Sequence, residues 1–150
     1  MAQGLRVRIK YLHPLWEQEP PEYATAFSVG LDLKACLESE CIWIHPGRRQ
    51  AVGTGLAVEI EQPDVAGFVF SRSGLGTKQG LVVSQGVGVI DPDYRGEVIV
   101  SLLNTSQQSR PVYRGQHIAQ LLFMPAYQAE IVPVRELGET GRGSGGFGHS

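Results

Sequence analysis

The chain has 150 residues, 42% of them hydrophobic, with 13 basic and 15 acidic side chains and a formal charge of −2. That length fits one domain with enough apolar material for a real core. The balanced charge offers no basic surface for nucleic acid or membrane, and no apolar run approaches the ~20 residues a bilayer span requires. Nineteen glycines, against a usual share of ~7%, point to many turns and close backbone approaches rather than long helices. The opening MAQGLRVRIKYL carries no secretory core or cleavage site, so a cytoplasmic setting is expected. Cys36 and Cys41 are expected as reduced thiols, since no further ligands are spaced for a zinc site.

In chain order, LRVRIKY alternates cleanly, with Leu5, Val7, Ile9 and Tyr11 on one face and Arg6, Arg8 and Lys10 on the other, a strand with one buried side. Residues 13–26 hold three prolines and read as a loop. GLDLKACL then places Leu31, Leu33, Ala35 and Leu37 together, opposite Asp32 and Lys34. His45-Pro46-Gly47 is a turn, and GLAVEIE aligns Leu56, Val58 and Ile60. AGFVF, LVV, GVGVI, EVIVSLL, PVY, HIAQLLFM and AEIVPV are short runs of strand length. Such recurrence, without a sustained 3.6-residue period, predicts an all-β sandwich or jelly-roll-like barrel with at most one short helix, opened by RSGLGTK. The last thirteen residues, GETGRGSGGFGHS, contain six glycines and bury too little to fold alone, which sets a core at 1–137 and a flexible tail at 138–150.

The tail's GRGSGG satisfies G-x-G-x-x-G, yet no βαβ pattern surrounds it, so a dinucleotide site is excluded. The histidines at 13, 45, 117 and 149 are scattered and read as surface or turn residues. SRSGLG, 71–76, breaks a strand into glycines, and exposed amides with Arg72 and Ser73 suit an anion; a solvated polar turn is the plainer alternative. GVGVIDPDYRGEVIV, 86–100, reads as a hairpin whose Pro92 presets the turn and whose Asp91 and Asp93 cap amides. Turn chemistry accounts poorly for Tyr94, Gly86 and Gly88. Glycine in a strand marks close approach of a backbone or ligand, and Asp91 beside such a groove suits a general base. Arg142 and Phe147 are the tail's large cation and aromatic ring, the components of a lid, although a frayed terminus explains the segment as well.

Taken together, GLDLKA, RSGLGTK, GVIDPDYRGE, RGQHIAQLLF and GRGSGGFG occur in an order and spacing that resemble the five motifs of the trimeric all-β dUTP pyrophosphatases, and PGRRQAVGTGLAVEI resembles their connecting strand pair. The resemblance implies a distorted jelly-roll, β-clip-like, in a homotrimer with shared sites. It implies that uracil enters the third-motif hairpin, read by backbone from Gly86 to Ile90, including Gly88 and Val89, and near Ile99 on the return strand. Tyr94 would lie on the deoxyribose, with Gln85 beside the base. Arg72, Ser73, Gly74 and Gln120 would hold phosphates. Mg²⁺ would be held mainly by those phosphates, and Asp32 would reach it through water. Asp91 would activate the attacking water, releasing dUMP and pyrophosphate, and Phe147 and Arg142 would close from another subunit. The implied role is to supply dUMP for thymidylate synthesis and to keep uracil out of DNA; the expected partners are dUTP and the chain itself, with no nucleic acid or membrane. The chain departs from the pattern at Gln85, at Ser71 where proline is common, and at Ser28-Val29-Gly30. A related dCTP deaminase, with Glu97 as a second acid–base group, and a non-catalytic trimeric binding module are the rival readings.

Overall fold

A computed structural model of the protein describes residues 4–146 and 148. Its elements are β1 (Val7–Tyr11), α1 (Leu15–Gln18), β2 (Leu31–Lys34), β3 (Cys41–Ile44), β4 (Arg49–Ile60), β5 (Val65–Ser71), α2 (Ser73–Gln79), β6 (Leu81–Val83), β7 (Gly88–Ile90), β8 (Glu97–Asn104), β9 (Arg110–Tyr113) and β10 (His117–Pro125). One sheet runs β1-β4-β8-β6, a second β2-β10-β5-β7, and β3 with β9 forms a small third. The strand pairs are antiparallel. This is the all-β, jelly-roll-like architecture expected.

Alternation builds the core. Leu31 and Leu33 of β2, Val69 of β5 and Leu121 of β10 pack in one cluster with Leu56 and Val58 of β4 and Val98, Val100 and Leu102 of β8. Burying a side chain such as Leu33 contributes roughly 1.5–3 kcal/mol, and a one-residue slip would turn the whole set outward, so this face fixes the register. Val7 and Ile9 pack against the cluster, whereas Leu5, ahead of edge strand β1, and Tyr11, at its end, stay exposed.

Three expectations need correction. There are two helices among the described residues instead of at most one, because residues 13–26 include the single turn α1. That turn buries Trp16, whose Nε1–H donates to the Thr54 carbonyl at 2.6 Å. The run AEIVPV forms no strand: β10 ends at Pro125, and Ile131, Val132 and Val134 are exposed, because one copy of the chain supplies them no neighbour. Lys34, on the face opposite Leu31 and Leu33, is buried as well; its ammonium meets Glu19 Oε2 at 2.7 Å and lies 4.6 Å from the centre of the Trp16 ring. Finally, the stretch 86–100 is no hairpin, since β7 belongs to the second sheet and β8 to the first.

Asn104, fully buried, ties three segments. Its Nδ2 donates to the carbonyls of Ile44 and Gln108, both at 2.7 Å, and its Oδ1 accepts from the Ser106 amide at 2.9 Å. Asn104→Ala should lower stability by about 2–4 kcal/mol, read as a lower urea midpoint with unchanged slope, because buried polar groups lose their partners.

Candidate active site

Two cavities gather the residues singled out from sequence. The larger, about 960 Å³, includes Asp32, Arg72, Ser73, Gly74 and Gln120 in its lining. Strand register explains the grouping. Central β10 sets Gln120 opposite Asp32 of β2 and Phe70 of β5, and Arg72 follows directly where β5 gives way to α2. Arg72 Nε meets Asp32 Oδ1 at 2.9 Å, and His117 Nδ1 lies 3.3 Å from Asp32 Oδ2. Gln120 Nε2 donates to the Ser71 carbonyl at 3.1 Å, and a Cβ at Gly30 would strike its carboxamide. Ser73 and Gly74 open α2, where the first amides have no partner within the helix and face outward as donors. Lys78 adds a second cation to the lining. The sum is a polar bowl with donors and guanidinium converging, suited to an oligophosphate.

The smaller cavity, about 270 Å³, is lined by Gln85, Gly88, Val89, Ile90, Asp91, Tyr94 and Ile99, together with Glu97, Val69, Val83 and Val100. It is the cleft left where the chain crosses from one sheet to the other. β7 is an edge strand, bonded to β5 through the pairs Val69↔Gly88, Phe68↔Val89 and Gly67↔Ile90. On the side away from β4, β8 is paired only from Ser101 onward, with Ser84 and β6. Backbone groups of both strands therefore face the cleft without a strand between them. A Cβ at Gly88 would lie 3.2 Å from Val69 Cβ, so glycine lets β7 sit close over β5.

The turn from Asp91 to Glu97 is held by its own groups. The Tyr94 amide donates to the Asp91 carbonyl at 3.0 Å, Tyr94 Oη donates to the Glu97 carbonyl at 3.0 Å, and Arg95 Nη1 donates to the Pro92 carbonyl at 2.7 Å. A Cβ at position 96 would displace the Tyr94 phenol, so glycine there leaves the ring in place. The Asp91 carboxylate is exposed at the cleft and makes no ion pair among the described residues. Glu97 is committed elsewhere, with Oε1 accepting from the Gly55 amide at 2.7 Å. That carboxylate and, chiefly, burial push the Cys36 thiol up to about 11, so it stays protonated at neutral pH.

A family model described as dUTPase matches residues 17–150. A deoxyuridine 5'-triphosphate nucleotidohydrolase of Idiomarina loihiensis is 50% identical over 130 residues, 87% of this chain and 85% of that protein. The chain belongs to the dUTPase family. Among solved structures, a mutant dUTPase of Staphylococcus bacteriophage 80alpha with dUpNHpp shares the fold at TM-score 0.82 and 23% identity, over 96% of this chain and 97% of that one. A mutant dUTPase from phage phi11 of S. aureus, described with a structural Mg(II) ion, aligns at TM-score 0.75 and 21% identity, over 89% of this chain and 99% of that one.

Within this dUTPase-family chain the two residue sets share no lining residue, and Arg142 joins neither. Its Nε donates instead to the Gly145 carbonyl at 2.7 Å. Phe147 lies outside the described residues. His117, read from sequence as a surface or turn residue, belongs to the phosphate-type cavity, and its placement opposite Lys34 of β2 is visible only once the strands are paired. Ser71 accounts for itself: its Oγ accepts from the Val83 amide at 2.8 Å, tying β5 to β6.

Asp32 is where the implied Mg²⁺ is tested. Its two carboxylate oxygens face Arg72 and His117, and no group of three or more acidic, His or Cys side chains suited to a metal occurs among the described residues. A single carboxylate offers no resident metal site by itself, so a Mg²⁺ here would have to be carried mainly by other ligands.

Proposed function

We propose that this chain is a dUTP diphosphatase, converting dUTP and water to dUMP and pyrophosphate, with the base in the inter-sheet cleft and the triphosphate in the polar bowl of a neighbouring copy. The observation that carries the reading is the cleft itself: two backbone edges, a pinned Tyr94 and an unpaired Asp91 around about 270 Å³. Peptide groups of Gly88, Val89, Ile90 and Ile99 pair with the edge of uracil. Cytosine would set donors against donors, each buried mismatch costing about 1–3 kcal/mol, and thymine's methyl would meet the backbone. Tyr94, fixed through the Glu97 carbonyl, covers the deoxyribose and leaves no space for a 2′-hydroxyl.

Asp91 accepts a proton from water. The water oxygen attacks the α-phosphorus, the bond to the bridging oxygen breaks, and pyrophosphate departs. Such base assistance contributes ~10²–10⁴-fold in rate. Arg72, with the amides of Ser73 and Gly74, holds and neutralises the phosphates, and Gln120 braces the bowl. Asp32 would reach, through water, a Mg²⁺ held mainly by those phosphates, and the ion would supply further charge neutralisation. The tail, residues 138–150, closes over the site from another copy, Arg142 on the phosphates and Phe147 over the base.

A homotrimer is supported by the separation of the two residue sets, since a bound nucleotide needs both. The enzyme acts in the cytoplasm, supplying dUMP and keeping uracil out of DNA. Deamination is disfavoured because the Glu97 carboxylate is engaged by Gly55. A panel of dUTP, dTTP, dCTP and UTP with Mg²⁺, scored for pyrophosphate and ammonia, should show pyrophosphate from dUTP alone. Equal turnover of dTTP or UTP, or ammonia from dCTP, would overturn the reading.

A further inference from the structure

Phe27 is 95% exposed, more than any other large hydrophobic among the described residues. Exposure alone means little. Position and rigidity carry the weight. Phe27 stands with Ala24 and Val29 on the rim of the phosphate-type cavity. It does not fold back onto the protein because its turn is locked: the Ser28 amide donates to the Thr25 carbonyl at 3.1 Å, the Thr25 amide to Ser28 Oγ at 3.1 Å, and the two hydroxyls meet at 2.9 Å. Upstream, Lys34 clamps Glu19, another residue of the same lining. The rim therefore presents an aromatic face to solvent from a fixed support.

We propose that Phe27 is the docking post for the closing tail of a second copy, with the Arg142 guanidinium lying across its ring on the way to the phosphates. This rests on the tail closure proposed above. In a single copy the tail is exposed from Gly138 through Ser144, and among the described residues the Arg142 side chain bonds within it, to the Gly145 carbonyl. Its glycines carry no side chains to hold the backbone off a flat ring. A phenyl face attracts a cation without charge. A carboxylate at the same place would trap Arg142 and repel the incoming phosphates; a neutral ring does neither.

The test compares the parent, Phe27→Ser and Phe27→Tyr, each with and without residues 139–150. Phe27→Ser should lower kcat/KM for dUTP by about 3–10-fold in the full chain. Phe27→Tyr, which keeps the ring, should retain the parent value, and the serine effect should vanish once the tail is removed. An unchanged kcat/KM in full-length Phe27→Ser overturns the proposal. So does a loss that persists without the tail, which would mean the ring touches nucleotide directly. Trypsin cleavage after Arg142 gives a readout independent of turnover. A non-hydrolysable dUTP analogue, or inorganic tripolyphosphate if the parent fails to hydrolyse dUTP, should protect that bond in the parent and not in Phe27→Ser; equal cleavage overturns the docking role. A parent inactive on dUTP would sink the diphosphatase reading while this comparison still decides the role of Phe27.

Discussion

Asp91→Asn is expected to lower kcat for dUTP by about 10²–10⁴-fold while affinity for a non-hydrolysable analogue stays largely intact. The substitution keeps the size of the side chain and the turn around it, where the Asp91 main-chain carbonyl, unaffected by the change, accepts the Tyr94 amide. What it removes is the ability to take a proton from water. Single-turnover kinetics and calorimetric binding separate the two quantities. Unchanged turnover would exclude the role of Asp91, and a parallel fall in affinity would make it a binding residue.

Deleting residues 139–150 should leave the fold and the trimer in place and cut kcat/KM by on the order of 10³-fold, the lower range for a cation that completes a phosphoryl-transfer site. The truncation touches no strand, since β10 ends at Pro125. Sedimentation and far-UV dichroism should match the parent. Full activity in the truncated protein would remove the tail from the mechanism; a monomer would give the segment a structural task instead.

The parts of the fold legible in sequence are those governed by local pattern. Leu31 and Leu33, or Leu56 and Val58, show their common face through spacing, and the structure buries them together. Partner choice is not local. Residues 86–100 have the look of two strands and a turn, but β7 bonds to β5 and β8 to β4, and nothing within fifteen residues records that. AEIVPV reads as a strand because its composition favours one, yet a strand exists only where another lies beside it. Buried polar residues were hidden for a similar reason. Lys34 depends on Glu19 and Trp16, and Asn104 on Ile44, contacts between segments distant in sequence. At the site, the motif residues of the cleft and of the bowl were found one by one, whereas their division between two cavities, and the inclusion of Lys78 and His117, required the packed sheets.

The recognition floor proposed above, built from peptide groups of β7 and β8, would have an evolutionary consequence. Every variant short of proline would carry the same amide and carbonyl at each position, so ordinary drift in side chains would leave the lettering of the base reader intact. Tolerance for another nucleobase would demand an insertion, a deletion or a shift in strand spacing, changes far rarer than exchange of one codon. A competitive inhibitor that addressed only those peptide groups would leave the organism few single-step routes of escape.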